Sequence, residues 1–404
     1  MATATGAFGY TPPINTDLFY ALPPIQLFTA GTYTITIPDN CDGYQIDLIG
    51  AGGSGGVARG AGAKASGGGG APWARIVRKK TKNATSITAI LGAGAAASSR
   101  ATDGATAGSA GSSSTVSDGT ITLTVPGGTA GQAAQNATTA AASANPADPT
   151  VSDLGNIDFN LGGTSGQVLG TAATGSGASG GSGCGSPIGT GGSSGAIGLD
   201  VSDATLSKAS GGASLYANSG SAVSGSRLAT GGAGRFASLN KSNLDTTCGG
   251  GGGAFAAGIS LTTGGLGVVG WSTAVGINAF ADILYTDGLD AGTIGVDSGT
   301  AANAGICAGT GASYDFNNTG STLLKGGTGA SAATASLAVT GTKPGAFGAT
   351  GAAAGSGTAS QAITSKGGNG CGSGGAVNHA AAGTITSGAG GDPFCRIQFF
   401  IRKS

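Results

Sequence analysis

Gly52-x-Ser54-x-Gly56 has the spacing of a nucleophile elbow, in which a strand-to-helix turn offers a serine to a histidine base. The chain has a single histidine, His379, and nothing after Ser54 reads as the helix such a turn opens. The motif is therefore expected to be incidental in a chain with 85 glycines among 404 residues. Strings of the form G-x-G-x-x-G are uninformative for the same reason, since a dinucleotide site needs a βαβ unit around them. There is no Gly-Lys-Ser/Thr phosphate loop. All 18 acidic residues are aspartates, and they are scattered. A glycosidase pair would have to be assembled from two of them in three dimensions, and no spacing points to one. Each reads as a turn residue or a surface charge. Calcium loops of the D-x-D-x-D-G type are missing. None of Cys41, Cys184, Cys248, Cys307, Cys371 and Cys395 forms a C-x-x-C pair, so no zinc site of the usual spacing is expected. Free buried thiols and disulfides both stay open. The expectation is a protein with no catalytic residues, no metal and no cofactor.

The aromatic residues are a better lead. Tyr216, Phe236, Phe255, Trp271, Tyr285, Tyr314 and Phe316 stand among small and polar neighbours. Aromatics on loops can stack on sugars or anchor a protein interface; the competing reading is that each fills a small local core. Tyr216, Tyr314 and Phe316 are the candidates for binding, by stacking and hydrogen bonds and not by charge. The basic cluster Arg75, Arg78, Lys79, Lys80 and Lys82 reads as a solvated strand face, in preference to a phosphate track. Net charge is zero, which argues against nucleic acid as a partner. No run of eighteen apolar residues exists, so no membrane insertion is expected. Residues 1–30 lack a charged segment followed by an apolar stretch, so no secretion signal is expected. Export by cell lysis fits such a chain.

The elements that must position these residues are strands. Tyr33, Ile35 and Ile37 alternate with threonines and stop at Pro38-Asp39-Asn40; Tyr44, Ile46 and Leu48 continue the alternation. Residues 73–79, 86–91 and 121–125 and the closing run of Cys395, Ile397, Phe399 and Ile401 read the same way. The first and last strands are expected to share a sheet. Strands with one buried face fit a sandwich or jelly roll. Residues 1–27 hold four aromatics and four prolines and read as an extended arm that packs on a partner or on the body. The body, 28–404, divides into a first β part (28–131), a glycine-rich insertion (132–264) and a second β part (265–404). The last contains an apolar patch at 266–294, with a short helix conceivable at 279–284.

Charged residues are 9% of the chain, against about 25% in an ordinary domain. Bulky cores are scarce, so another kind of packing is needed. Between residues 177 and 198 every third position is Gly177, Gly180, Gly183, Ser186, Gly189, Gly192, Gly195 and Gly198, seven glycines in eight. The other two phases hold one in seven and two in seven. Three residues per turn is the repeat of the polyproline II helix, which has no internal hydrogen bonds. Glycine along one edge lets neighbouring backbones bond to each other. A bundle of short, antiparallel polyproline II helices is expected, with the in-phase glycines inward and Ser179 and Ser193 tolerant of change. A weaker run, Gly50, Gly53, Gly56, Gly62 and Gly68, is interrupted by Arg59 and Ala65. The fold class is all-β: a β-sandwich or jelly-roll-like framework with glycine-rich polyproline II segments.

Phe28-Thr-Ala-Gly-Thr-Tyr-Thr-Ile-Thr-Ile-Pro38, then Tyr44-Gln-Ile-Asp-Leu-Ile-Gly-Ala-Gly-Gly-Ser-Gly-Gly56, then Gly67-Gly-Gly-Gly-Ala-Pro-Trp-Ala-Arg75 resembles the glycine-rich domain of phage tail-fibre and receptor-binding proteins. Gly388-Ala-Gly-Gly391 followed by Phe394-Cys-Arg-Ile-Gln-Phe399 resembles that domain's final strand. The period-three runs look like the polyproline II sandwich of distal tail-fibre adhesins and of glycine-rich antifreeze proteins. The resemblance covers both ends of the chain, and the middle by composition. It implies a virion protein, assembled in the host cytoplasm, that is a homo-oligomer, a trimer for preference, and shows variable loops to a host surface receptor. It brings no catalytic residues. Residues 1–27 are then expected to hold the chain to other virion proteins. The function expected is a tail-fibre or tail-tip role in host attachment; the alternative is a capsid decoration or head-fibre protein. An ice-binding protein would want regular rows of Thr or Ala, which the broken periodicity disfavours.

Overall fold

The structure, a computed structural model, describes residues 19–135, 144–153, 176–185, 349–355, 360–363, 366–379 and 382–403, with residues 155, 191 and 194 and short strands between 159 and 340. The chain is all-β. Its framework is a two-sheet sandwich made by the alternating strands. These are β1 (Phe19–Ala21), β2 (Ile25–Leu27), β3 (Gly31–Thr36), β4 (Cys41–Ile49), β5 (Trp73–Lys79), β6 (Ser86–Leu91), β7 (Ser114–Ser117), β8 (Thr122–Val125), β9 (Thr150–Val151), β10 (Phe159–Gly163) and β11 (Phe394–Arg402). The first sheet runs β1-β11-β4-β5-β10, with β2 also on β11; the second runs β9-β8-β7-β6-β3. Tyr44, Ile46, Leu48, Ile76, Ile397 and Phe399 of the first meet Ile35, Ile87, Leu91, Val116, Leu123 and Val125 of the second in one apolar core. Burying each such side chain stabilises the fold by about 1.5–3 kcal/mol.

Two expectations change here. The strand of Tyr33 and Ile35 does not share a sheet with the last strand: β3 lies in the second sheet, and β11 pairs with β4, Ile397 opposite Ile46. The turn at Pro38-Asp39-Asn40 carries the chain across the sandwich between them. Within the expected arm, residues 19–27 are stitched to the body, with Phe19 opposite Arg402 and Ile25 opposite Ile397. Residues 1–18 lie outside the described residues, as do residues 266–293 of the apolar patch expected at 266–294.

Six strands continue, at one end of the sandwich, into straight segments that are neither helix nor strand. β4 and β5 extend as 50–56 and 66–72, β6 and β7 as 92–98 and 107–113, β8 as 126–132, and β11 is preceded by 387–393. Their backbone bonds repeat every third residue. Ala51 and Ser54 donate to Ser112 and Ser109; Gly53 and Gly56 donate to Gly69 and Ser66; Gly52 donates to Gly391. The carbonyls of the same segment accept from Gly128 and Gly131, from Ser373 and Ala376, and from Ala95. Segment 50–56 therefore has six neighbours, and successive residues address different ones. That is the threefold screw of polyproline II, with each buried N–H and C=O satisfied by a neighbour. None of the glycines with positive φ falls within 50–56, 66–72 or 126–132.

The bundle has three layers. Segments 387–393, 50–56 and 66–72 extend the first sheet, 92–98, 107–113 and 126–132 extend the second, and 371–375 with 179–185 form the third. Directions are mixed, where an antiparallel bundle was expected. Segment 50–56 is parallel to 126–132 and antiparallel to 66–72 and 107–113, because each segment inherits the direction of its strand. The chain also reverses at Gly60 and Gly62, both at positive φ. Gly68 therefore lies on the returning segment, and the Gly50–Gly68 run is two helices.

Beyond the bundle lies a ladder of strands of two or three residues in the order Gly104–Thr106, Val57–Arg59, Ala376–Asn378, Ala353–Gly355, Ser331–Ala333, Ser313–Asp315 and Ala254–Phe255. All its pairings are parallel except the first. Five of these rungs start three residues after a common motif: Ser54-Gly-Gly, Thr310-Gly-Ala, Thr328-Gly-Ala, Thr350-Gly-Ala and Ser373-Gly-Gly. A second set, Lys64-Ala-Ser-Gly-Gly, Gly177-Ala-Ser-Gly-Gly and Lys208-Ala-Ser-Gly-Gly, pairs in parallel with its copies in register.

Candidate functional site

The residues with chemical potential are mostly held by the scaffold. Ser54 is fully buried; its hydroxyl accepts from the Ser109 N–H at 2.8 Å. His379 is elsewhere, with Nδ1 3.0 Å from the Oγ of buried Ser176. The aspartates among the described residues that form ion pairs do so as follows: Asp47 with Arg75 at 2.6 Å and with Arg396 at 3.9 Å, Asp118 with Arg78 at 3.2 Å, Asp103 with Arg59, Asp392 with Lys366 and Asp42 with Arg402. The expected solvated basic face is thus corrected. Arg75 and Arg78 are buried beside carboxylates, while Lys79 and Lys82 are exposed. A buried arginine on β5 looks like surface charge until its carboxylate is known, on β4 for Arg75 and in the β7–β8 turn for Arg78. Cys41, Cys371 and Cys395 are free thiols, these and Cys184 are buried, and burial pushes the Cys41 and Cys395 thiols up. Cys248 and Cys307 lie outside the described residues.

Asp118 occupies the β7–β8 hairpin, whose Asp118-Gly119 step places Gly119 at φ +85°. Its Oδ1 accepts from the Thr120 and Ile121 amides at 2.9 and 3.0 Å, and its Oδ2 from the Tyr44 hydroxyl. Burial pushes the carboxyl up, but the Tyr44 hydroxyl, the two amides and Arg78 outweigh it and hold it below the usual range. Burial, with the bond to Asp118 second, pushes the Tyr44 phenol up.

The scaffold glycines are placed in part. Gly177, Gly180 and Gly183 are buried; Gly189, Gly192, Gly195 and Gly198 lie outside the described residues. Gly177 donates to Ala63. The carbonyls of Gly180 and Gly183 stand 2.3 and 2.4 Å from where a Cβ on Gly67 or Gly70 would be, so glycine on the partner helix makes the approach possible. The expectation that Ser179 faces outward is corrected: it is fully buried. The segment is surrounded, so no phase faces water. Its hydroxyls take up amides that a polyproline II helix leaves unpaired: Ser179 accepts from Gly67 at 3.3 Å and Ser182 from Gly70 at 2.9 Å. The rung motif does the same, Thr350 accepting from Gly374 and Ser373 from Gly55. Sequence reasoning missed this role of the hydroxyls. The recurring [Ser/Thr]-Gly-[Gly/Ala] triplets were the available signal.

Of the three binding candidates, Tyr216 and Phe316 lie outside the described residues. Tyr314 is placed in a strand and not on a loop, as the middle residue of the rung Ser313–Asp315. Register puts it beside Phe255 on one neighbouring strand and Ala332 on the other. Two turns also project past the bundle, and nothing in the sequence marked them. Arg59 donates to the Ala101 carbonyl and stands 3.3 Å from Asp103, joining the turn at 60–63 to that at 101–103. Arg100 braces the second turn through the carbonyls of Thr102 and Asp103.

No curated protein matches the chain. A family model described as a glycine-rich domain matches residues 28–274. That span covers the sandwich strands from β3 to β10, the central polyproline II segments, and more than half the chain. This protein belongs to the glycine-rich domain family.

Proposed function

We propose that the chain is a structural protein of a bacteriophage particle, in the tail fibre or tail tip, that acts in host attachment and carries no catalysis. The observation that supports this reading is the polarity of the body. The first and last described strands are paired at one end, Phe19 against Arg402, and the polyproline II segments leave the sandwich at the other. Between rungs of one design the chain makes excursions of different length, the motifs at Thr310, Thr328, Thr350 and Ser373 standing 18, 22 and 23 residues apart. A scaffold held by backbone bonds tolerates such variation, because loops can change while the rungs keep their register. Residues 1–18 remain for attachment to other virion proteins, and a host surface receptor is the partner at the far end.

Two measurements test this. Antibody against the chain is expected to label fibres or tail tips of intact particles; label over the head would replace the reading with that of a decoration protein. Purified chain is expected to adsorb to host cells equally at low and high salt, since screening weakens exposed charge pairs far more than stacking. Alanine at Tyr216, Tyr314 and Phe316 together is expected to lower adsorption at least about tenfold, the loss of a single stacking anchor being worth more than 1 kcal/mol. Strong salt sensitivity, or full adsorption by the triple variant, would remove these residues as the contact.

A further inference from the structure

The layer built on the second sheet differs in charge from the layer built on the first. Residues 31–36, 86–98, 107–117 and 122–132 contain no Asp, Glu, Lys, Arg or His. They supply four of the sheet's strands and the three segments that extend them. The first layer, by contrast, carries Asp42, Asp47, Arg75, Arg78, Lys79, Arg396 and Arg402 on its strands. The outward face of the charge-free layer is open. Register aligns Thr32, Ile90, Thr115, Thr124 and Thr150 in one row across all five strands. All five are exposed or half-exposed, Ile90 at 51%. On the bundle, Ala96 and Ala110 continue the face and are exposed. Side chains there are small, so the surface has few protrusions.

Such a face is unusual on a free surface, where charge of both signs is the norm. Strands rise about 3.3 Å per residue and stand about 4.8 Å apart, and polyproline II rises about 3.1 Å per residue. The face is therefore roughly 40 Å long and 20 Å wide, about 800 Å². A standard stable interface takes about 800 Å² from each partner. A face that meets the same face of a second copy is self-complementary, and one with no charge brings no like-charge repulsion when it does. We propose that this face is where a second copy of the chain packs. The contact is dry and made by threonine and alanine methyl groups, and its location does not depend on the attachment reading.

The test is the mass of the purified full chain by light scattering and sedimentation. The unaltered protein is expected to be a discrete oligomer of the 37.4 kDa chain. Thr32→Lys with Thr124→Lys is expected to weaken association at least tenfold, with unchanged circular dichroism. Ala96→Glu with Ala110→Glu probes the same face on the bundle without touching the sheet, and the same loss is expected. Lys79→Glu, on the other layer, is expected to leave the mass unchanged. A monomeric unaltered protein, or an oligomer that survives both folded double variants, would overturn the proposal. So would a monomer whose face binds ice or a polysaccharide instead.

Discussion

Gly52→Ala is expected to destabilise the protein by about 3 kcal/mol or more, at or beyond the upper end for overpacked cores. A Cβ at this position would stand 1.9 Å from the Cys371 carbonyl oxygen and 2.6 Å from its carbon. Both atoms are backbone, so no rotamer change relieves the clash. Gly53→Ala meets the Thr129 carbonyl at 2.0 Å and is expected to behave alike. The two carbonyls lie on different neighbours, so the segment cannot shift away from one without approaching the other. Gly155→Ala is the control: its nearest contact is the Asp153 carboxylate at 3.3 Å, at an exposed site. It is expected to change stability by less than about 0.5 kcal/mol. Urea unfolding of the three variants decides; equal losses would mean that glycine is not needed for close approach.

Asp118→Asn is expected to cost about 3–5 kcal/mol, because it leaves a buried charge uncompensated. The Arg78 side chain is fully buried, and among the described residues only Asp118 pairs with it. Adding Arg78→Leu to the variant is expected to recover part of the loss, since an apolar replacement of a buried pair is often nearly neutral. The pair also predicts a pH profile. A carboxyl held low in the folded state stabilises above its unfolded value, near 3.9, and that stability is lost as pH falls through the folded value. The Tyr44 phenol is held high, so its contribution is complete below its unfolded value, about 10, and declines above it. Urea midpoints are therefore expected to fall below about pH 4 and above about pH 10. In Asp118→Asn the acid limb is expected to shrink. An unchanged acid limb, or a stability equal to that of the parent, would contradict the assignment.

What was legible in the sequence follows from what each kind of packing requires. The sandwich strands were visible because one buried face imposes a period of two on Tyr44, Ile46 and Leu48 and again on Cys395, Ile397 and Phe399. Their pairing was not, because alternation says which face is buried and not which strand lies alongside. The polyproline II repeat showed at 177–198, where glycine marks one phase. It did not show at 92–98 or 107–113, which expose part of their circumference and need glycine only at the closest contacts, Gly92, Gly94, Gly108 and Gly111. The buried arginines were misread because the same residue types line a wet strand face. The rungs were missed because their motif is only three small residues, and their spacing varies with the excursions between them. Of the binding candidates, Tyr314 was expected on a loop because its neighbours are small and polar. Those neighbours, Thr310-Gly-Ala-Ser, are the rung motif itself.

Hydrogen exchange at single amides tests the central claim, a three-layer bundle of polyproline II helices, most directly. In a β-strand at a sheet edge, protection alternates with a period of two; in this bundle it follows the threefold screw. Every amide from Ala51 to Gly56 has an acceptor, five on backbone carbonyls and Gly55 on the Ser373 hydroxyl. All six are expected to exchange slowly. On the outer segment, Gly108 and Gly111 donate to Gly131 and Gly128, and Ser109 and Ser112 to the Ser54 hydroxyl and the Ala93 carbonyl. These four are expected to be protected, with Ala110 between them fast. Rapid exchange throughout 50–56, or protection alternating every second residue along 107–113, would contradict the account.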